Sequence, residues 1–332
     1  MNSFGRLFRS NIFGESHGPE VGVLIDGIPA GIPLAINDFL PDLQRRRAGA
    51  AGTTARHEND QPVIKSGLWQ GKTTGTPMLI SFLNEDCQSR DYQNGQDMPR
   101  PGHADFTALK KFAGYHDFRG GGHFSGRLTL GLVAAGVLAK KIIAPLGVNA
   151  ELVEVGGEHE WRTALAQAQG KGDSLGGIVV CQAKRVPIGL GEPFFDSLES
   201  LLSHLIFAIP GIKGIEFGSG FAAARMRGSE HNDLFVNRSG KTTGNHAGGC
   251  AGGISNGNDL VFRVAVKPTA SIAMTQKTVN LTTGKMGKLK VGGRHDICFA
   301  LRLPVVVEAA CAMVLADLML LEQRISRIWE KK

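Results

Sequence analysis

The stretch RPGHADFTALKKFAGYHDFRGGGHFSGRLT, residues 100–129, is the part of the chain around which the rest is organised. It holds two glycine-flanked basic patches, one around Arg100 and His103 and one ending at Arg127. Directly after it, residues 128–146 are apolar and predict a buried helix. Glycines let backbone N–H groups approach a ligand closely, and a helix N-terminus carries about half a positive charge. The stretch therefore predicts a receptor for a phosphorylated ligand, unless its glycines serve only turns and its arginines are solvated.

The composition is that of a soluble globular protein with an anionic partner. Of 332 residues, 42% are hydrophobic and 20% charged, and the formal net charge of +7 favours a negatively charged ligand. Apart from residues 45–47 there is no block of basic residues, and aromatic residues make up only 7%. These features disfavour nucleic acid as the partner. A small phosphorylated molecule fits better.

Cysteine usage and hydropathy predict a cytoplasmic protein that neither spans nor binds a membrane. The five cysteines are scattered without a CxxC pair, so they indicate neither a metal site nor a disulfide framework. The N-terminal residues lack the apolar core of a secretory signal peptide. The most apolar late segment, 303–321, is interrupted by Glu308 and Asp317, which argues against a membrane span.

The order of predicted elements favours an α+β fold in a single domain covering 1–332. Strands and helices interleave without a regular βαβ rhythm, and no linker rich in proline or serine divides the chain. Residues 53–62 are polar and are predicted to be mobile. The predicted strands are 4–25 (interrupted by a loop at 14–18), two within 63–83, 148–156, 176–181, 212–217 and 259–266. The predicted helices are 39–47, 128–146, 158–171, 198–207 and 304–328.

Four clusters could carry chemistry if the fold brings them together. His17 lies in the glycine-flanked loop GESHG, and His103 lies beside Arg100; either imidazole can transfer a proton near neutral pH. The glycines and amides of 244–254, with the lysine and hydroxyls of 267–271, suit a planar phosphorylated cofactor. In GRHD, residues 293–296, a carboxylate adjoins a cation and an imidazole.

Several common sites are absent from the sequence. There is no GxSxG or HExxH motif, which disfavours hydrolysis by an activated serine or a zinc ion. The sequence GKTTG occurs at 71–75 and 240–244, but neither copy has the preceding glycine of a P-loop. Residues 218–223 imitate a dinucleotide fingerprint only loosely, without the acidic residue about twenty positions further on.

Six motifs, in this order, resemble those of chorismate synthases: GESHG, RPGHAD, RGGG with the following S.R.T, NHAGG with GGIS, KPT.S and GRHD. The resemblance extends from residue 4 to about residue 321. It implies a β-α-β sandwich, usually assembled as a homotetramer. It also implies anti-1,4-elimination of phosphate from 5-enolpyruvylshikimate 3-phosphate to give chorismate, with reduced FMN and no net redox change.

The same resemblance assigns roles to individual residues, and it implies no metal. His17 would protonate the reduced flavin, His103 would assist the departing phosphate, and Asp296 would work with the flavin in proton removal. Cations for the leaving phosphate would be Arg46, Arg100 and Arg127. No reductase segment is evident, so an external reductant of the flavin is predicted rather than intrinsic reduction with NADPH. The predicted flavin contacts are His123, Phe124, Ser125, Pro210, Gly211, Asn245, Gly252, Lys267, Pro268, Thr269, Ala270, Ser271 and Arg294.

The chain departs from the family pattern in the central stretch. The family usually has GGRSSARET where this chain has GGHFSGRLT, so an arginine, a serine and a glutamate are replaced by His123, Phe124 and Leu128. The family also commonly has an arginine downstream of Arg47, where residues 48–52 carry none. These changes leave open a divergent relative that binds flavin or a phosphorylated ligand without turnover.

Overall fold

Two antiparallel sheets enclose a layer of helices in this computed structural model, which describes residues 2–87 and 97–329. The first sheet has the strand order β1-β2-β3-β7-β4 and the second β10-β13-β9-β8. The strands are β1 Ser3–Phe4, β2 Arg9–Gly14, β3 Glu20–Asp26, β4 Val63–Ile64, β5 Leu68–Trp69, β6 Lys72–Thr73, β7 Met78–Leu83, β8 Gly147–Val155, β9 Gly177–Lys184, β10 Ile212–Phe217, β11 Cys250–Ala251, β12 Ile254–Ser255, β13 Leu260–Val266, β14 Gln276–Val279 and β15 Met286–Leu289.

The helix layer joins the two sheets through a central pair of helices. The helices are α1 Leu40–Arg46, α2 Asp105–Lys111, α3 Thr129–Ile142, α4 Arg162–Lys171, α5 Leu198–Ala208, α6 Gly228–His231 and α7 Pro304–Leu321. Helix α3 packs on the first sheet, α7 packs on the second, and the two helices pack on each other. A Cβ at Gly136 would lie 2.2 Å from the Ala309 Cβ, so glycine is required where α3 and α7 approach most closely.

The burial pattern explains these layers. Alternate residues of β9 and β13 are buried, as expected for strands with one face on the core and one towards solvent. Helix α7 is buried on nearly every face, which suits a helix that lies between two layers. The buried apolar residues form one cluster that extends over both sheets and the helices between them.

By length and composition α7 could cross a membrane, but 83% of its 18-residue window is buried inside the protein. Its two acidic residues have partners. Glu308 accepts hydrogen bonds from both Arg45 and Lys140, at 2.6–2.8 Å. Asp317 accepts from the backbone N–H groups of Leu7 and Phe8 at 2.7 and 2.8 Å. A helix bonded in this way is the core helix of a globular fold.

The α+β prediction and the β-α-β sandwich implied by the resemblance are confirmed, with some element bounds corrected. The last helix ends at Leu321 rather than near 328, because the following backbone pairs with the segment around Ala30: Trp329 N–H donates to the Ala30 carbonyl at 2.8 Å. Residues 63–83 form four short strands rather than two. The segment 53–62 has no regular structure, yet its carboxylates Glu58 and Asp60 are 8% and 3% exposed. Two side chains of this polar segment are therefore part of the protein interior, and the mobility of the segment stays a prediction.

Candidate active site

A cavity of about 720 Å³ is lined by parts of both sheets and of the helix layer. Its walls include β2, the start of α3, the C-terminal end of α5 and the start of β10. Loops close the remaining sides: 16–17, 46–60, 102–104, 120–128, 267–270 and 294–302. The volume is within the range of small-molecule sites and large enough for more than one small ligand.

Cations outnumber carboxylates two to one on the cavity wall. Eight lysines and arginines line it, against four carboxylates and five of the chain's ten histidines. Such a surface favours a ligand with several negative charges. The cations are Arg46, Arg47, Arg56, Arg127, Arg294, Arg302, Lys213 and Lys267; the carboxylates are Glu58, Asp60, Asp86 and Asp296; the histidines are His17, His103, His123, His204 and His295.

His103 is held by residues close to it in sequence. Its Nδ1 lies 2.6 Å from Asp105 Oδ1, so Nδ1 carries the hydrogen and donates to the carboxylate. Asp105 in turn accepts from Arg100 Nε and Nη2 at 2.7 and 2.8 Å. Burial lowers the pKa of His103 although the hydrogen bond to Asp105 acts in the opposite direction. His103 is therefore neutral at neutral pH, with Nε2 as the atom that can accept a proton.

The loop that carries His17 is held by residues distant in sequence. Ser16 N–H donates to the Gly122 carbonyl at 3.1 Å, and Arg56 donates to the Ser16 hydroxyl at 3.0 Å. The side chain of Asn84 donates to two carbonyls of the same loop. His17 itself lines the cavity beside the glycine-rich turn.

That turn requires glycine because its backbone has positive φ, and two imidazoles lie against it. Gly120, Gly121 and Gly122 all have positive φ. A Cβ at Gly120 would lie 2.6 Å from His17 Nε2, and one at Gly121 would lie 3.5 Å from His103 Nε2. The two histidines named by the motifs are thus brought to successive residues of one turn, on one cavity.

Two buried arginines share carboxylates at the base of the cavity. Arg127 Nη1 donates to Asp60 Oδ1 at 2.8 Å, and Arg46 Nη1 lies 3.5 Å from Asp60 Oδ2. Arg46 also donates to the Gly126 carbonyl at 3.0 Å. Burial, helped by the neighbouring cations Arg302 and Arg127, lowers the pKa of Arg46 to about 9. Its charge is therefore incompletely compensated, which favours binding of an anion.

Asp296 lies on the cavity wall with both carboxylate oxygens engaged. Oδ2 accepts from Arg302 Nη2 at 2.8 Å, and Oδ1 accepts from the Thr54 N–H at 2.9 Å. Its neighbour Arg294 makes a two-point ion pair with Asp86, at 2.6 and 2.9 Å, and this hydrogen bonding lowers the pKa of Asp86 to about 2. Arg294 and Asp296 of the GRHD motif thus hold Thr54 and Asp86 at the cavity wall.

The predicted flavin contacts divide into three groups. Most line the cavity: His123, Phe124, Ser125, Pro210, Gly211, Lys267, Pro268, Thr269, Ala270 and Arg294. Ser271 lies behind the wall, where its hydroxyl accepts from Arg100 Nη1 at 3.0 Å. Asn245 and Gly252 are not brought to the cavity within this chain. Asn245 donates to the Asp259 carbonyl at 2.8 Å, and Gly252 forms the turn between β11 and β12.

The positions that depart from the family pattern have defined environments. His123 Nδ1 donates to the Gly14 carbonyl at 2.8 Å, which joins the glycine-rich turn to the start of the His17 loop. Phe124 is 39% exposed on the cavity wall, and its ring centroid lies 6.3 Å from that of Phe112. Leu128 is 6% exposed and belongs to the hydrophobic core.

The sequence did not point to several residues of the site. Arg56, Glu58 and Asp60 lie in the polar segment 53–62, for which the sequence predicts mobility and no role, and Asn84 has no motif around it. Arg302 is a single cation among apolar residues, which is the one signal that marked it. Its Nε is buried and has no hydrogen-bond partner within residues 2–87 and 97–329.

Comparison with known proteins gives a consistent result. The family model described as chorismate synthase matches residues 8–320. A chorismate synthase of Chitinophaga pinensis is 61% identical over 331 residues, covering 99% of this chain and all of the relative. One of Dehalococcoides mccartyi is 44% identical, covering 98% of this chain and 99% of the relative. A crystal structure of a chorismate synthase superposes with a TM-score of 0.74 at 26% identity, covering 96% and 93% of the two chains.

Proposed function

The chain belongs to the chorismate synthase family, and on that premise we propose how its cavity carries out the reaction. It is a carbon–oxygen lyase of aromatic amino-acid biosynthesis that eliminates phosphate from 5-enolpyruvylshikimate 3-phosphate in the anti-1,4 sense, giving chorismate. The observation that carries the mechanism is the juxtaposition of His17 and His103 on one glycine turn, in a cavity with excess positive charge.

We assign the phosphate of the substrate to the arginine-rich part of the cavity. Arg46, Arg100 and Arg127 are the predicted cations, and the lowered pKa of Arg46 supports its preference for an anion. Arg302, with its unsatisfied Nε, is a further donor for the leaving group. Preorganised cations stabilise the charge that develops as the phosphate departs, without reorganisation during the reaction. Arg127 already donates to Asp60, so it contributes as part of a charged network rather than alone.

We propose that the two imidazoles and one carboxylate handle the protons. Burial lowers the pKa of His103, so its imidazole is neutral before the substrate binds. A phosphate dianion beside Nε2 raises the pKa of His103, so substrate binding brings in the proton that the leaving phosphate receives. His17 is assigned to proton transfer with the cofactor. Asp296 is assigned to removal of the substrate proton, for which one oxygen must exchange its contact with Arg302 or Thr54.

We propose reduced FMN as the cofactor. The cavity volume of about 720 Å³ supports this proposal, since it leaves room for a cofactor beside the substrate. The buried Thr269 hydroxyl has no partner within the described residues, as expected of a group that bonds a ligand. When bound, reduced FMN lends electron density to the substrate and takes it back. Lys267 donates to the Gly102 carbonyl at 2.5 Å and so ties the KPTAS segment to the RPGHAD turn. An external reductant supplies the reduced flavin, with NADPH as the ultimate donor.

We further propose that the chain acts as a cytoplasmic homotetramer. Large aromatic side chains are unusually exposed, among them Phe194, Phe195 and Phe221 at 87%, 92% and 80%, and such surfaces suit subunit contacts. Asn245 and Gly252 do not line the cavity of their own subunit. In the proposed tetramer they would contact the cofactor bound in the cavity of a neighbouring subunit.

Anaerobic turnover tests this function. Purified protein, chemically reduced FMN and 5-enolpyruvylshikimate 3-phosphate are mixed, and chorismate and inorganic phosphate are followed together. Equal release of both is expected. Binding of reduced FMN without turnover would identify a non-catalytic relative, and absence of FMN binding would contradict the cofactor assignment.

A further inference from the structure

We propose that Asn84 is a positioning residue that fixes the His17 loop to Arg127. The proposal rests on the function assigned above, because it takes His17 to be a proton-transfer group. Asn84 does not line the cavity; it lies at the C-terminal end of β7, directly behind the loop.

The side chain of Asn84 spans the loop on either side of the imidazole. Its Nδ2 donates to the carbonyl of Glu15 at 3.0 Å and to that of Gly18 at 2.8 Å. These two carbonyls bracket His17 in sequence. Two hydrogen bonds from one planar amide fix both ends of the four-residue segment 15–18. They therefore fix the position of the His17 backbone, from which the imidazole side chain extends.

The other side of the same amide is fixed by a cation. Asn84 Oδ1 accepts a hydrogen bond from Arg127 Nε. The orientation of the amide is thereby determined, because only Nδ2 can donate to two carbonyls and only Oδ1 can accept from a guanidinium. Arg127 is itself held by Asp60 and by the carbonyl of Leu83. One side chain thus joins the buried cationic network to the loop that carries the imidazole.

The backbone around Asn84 is equally constrained. Its N–H donates to the Pro19 carbonyl at 3.0 Å, and the pairing of Leu83 with Glu20 aligns β7 with β3. The amide is therefore presented from a strand end rather than from a mobile loop. No other natural side chain of this length supplies two hydrogen-bond donors and one acceptor. Ionised aspartate has acceptors but no donor, and leucine has neither donors nor acceptors.

The chemical consequence follows from the sensitivity of proton transfer to geometry. A displacement of a catalytic group by about 1 Å can reduce the rate about 100-fold. Loss of the two bonds to Glu15 and Gly18 frees the loop while leaving the cations of the cavity in place. The effect should therefore appear in kcat and in the His17 resonances.

The test compares Asn84→Asp with Asn258→Asp in the full-length protein. The first replacement keeps an acceptor for Arg127, removes both donors to the loop and adds one negative charge, and the control adds the same charge away from the cavity. The control removes an amide that donates to the Gly240 carbonyl at 3.2 Å, from a side chain that is 8% exposed and lies outside the cavity. Anaerobic kcat and KM are measured, together with the ring resonances of 15N-labelled histidines, where His17 is assigned from a His17→Ala spectrum.

For Asn84→Asp we expect kcat to fall about 10- to 100-fold and the His17 resonances to shift, and KM to rise because the new carboxylate beside Arg127 weakens binding of the substrate phosphate. Asn258→Asp should leave kcat and the His17 resonances as in the wild type. Unchanged kcat and unchanged His17 resonances in Asn84→Asp, or equal changes in the control, would overturn the proposal. If Asn84→Asp does not fold, Asn84→Ala replaces it under the same criteria. If the wild type shows no turnover, the proposed function fails, while the resonances still decide whether Asn84 positions the loop.

Discussion

His17 and His103, two of the five histidines on the cavity wall, are held in opposite ways. His103 is positioned by Arg100 and Asp105, all within six residues, through an ion pair and a 2.6 Å hydrogen bond. The His17 loop is positioned by residues 40 to more than 100 positions away, among them Arg56 and His123. The position of His103 is thus determined by residues of one local motif, whereas the position of His17 is determined by contacts that only the tertiary fold makes.

This difference predicts two kinds of sensitivity. Charge changes beside His103 should alter its protonation and its orientation together, since the same Asp105 controls both. Changes around His17 should act through displacement, since its loop is held at the Ser16 and Gly18 carbonyls and its ring lies against Gly120. The experiments below separate the two, beginning with the largest expected effect.

Asp105→Asn should have the largest effect. It removes the carboxylate that orients His103 and that raises its pKa, so the pKa of His103 should fall further and kcat should drop about 100-fold or more. Steady-state kinetics across pH measures both changes. Asp26→Asn is the matched control, because Asp26 pairs with Arg9 at 3.0 Å and neither residue lines the cavity. Wild-type kcat in Asp105→Asn would contradict the orienting role.

Gly120→Ala should act on His17 by steric displacement. The new Cβ would lie 2.5 Å from His17 Cδ2, so the ring must move, and kcat should fall about 10- to 100-fold. Gly114→Ala is the control: Gly114 also has positive φ, at +86°, but its Cβ would meet only Leu109 at 3.8 Å. The two variants carry the same kind of backbone strain. Equal kcat in both would show that displacement of His17 is unimportant.

Acidification should destabilise the protein through the region of His103. Burial lowers the pKa values of His103 and His295, so between pH 7 and 5 the unfolded chain binds protons that the folded chain does not. The pKa of Asp105 is also held well below its usual range, despite burial, by hydrogen bonds from Arg100 and His103, which adds stability that is lost at still lower pH. The melting temperature should therefore decrease from pH 7 to pH 5, and a constant or rising value would contradict the assigned burial.

His123→Ala should have the smallest effect. It removes one hydrogen bond, to the Gly14 carbonyl, from a loop that keeps its contacts to Asn84 and Arg56, so kcat should fall by only about 3- to 10-fold. His159→Ala serves as the control, since His159 also donates to a backbone carbonyl, that of Val153, at 2.8 Å on the surface. A loss as large as that of Gly120→Ala would show that this bond dominates the positioning of His17.

The same contrast explains what the sequence could predict. The RPGHAD motif contains the His103 site almost entirely, and the order of six motifs was sufficient to indicate the family and the sandwich fold. The support of His17 was not visible, because Asn84 and Arg56 belong to segments whose partners only the fold brings near. The burial of Glu58 and Asp60 was not visible either. Arg56 pairs with Glu58 at 2.6 Å and the buried Arg127 pairs with Asp60 at 2.8 Å, and these ion pairs make burial of the carboxylates favourable.

Proton transfer by both histidines within one reaction is the central claim, and kcat of His17→Ala and His103→Ala under anaerobic conditions tests it most directly. Each replacement should lower the rate of chorismate formation about 10²- to 10⁴-fold while reduced FMN still binds, because other residues of the cavity hold the cofactor. Wild-type turnover in either variant would contradict the claim and would leave that imidazole with a structural role.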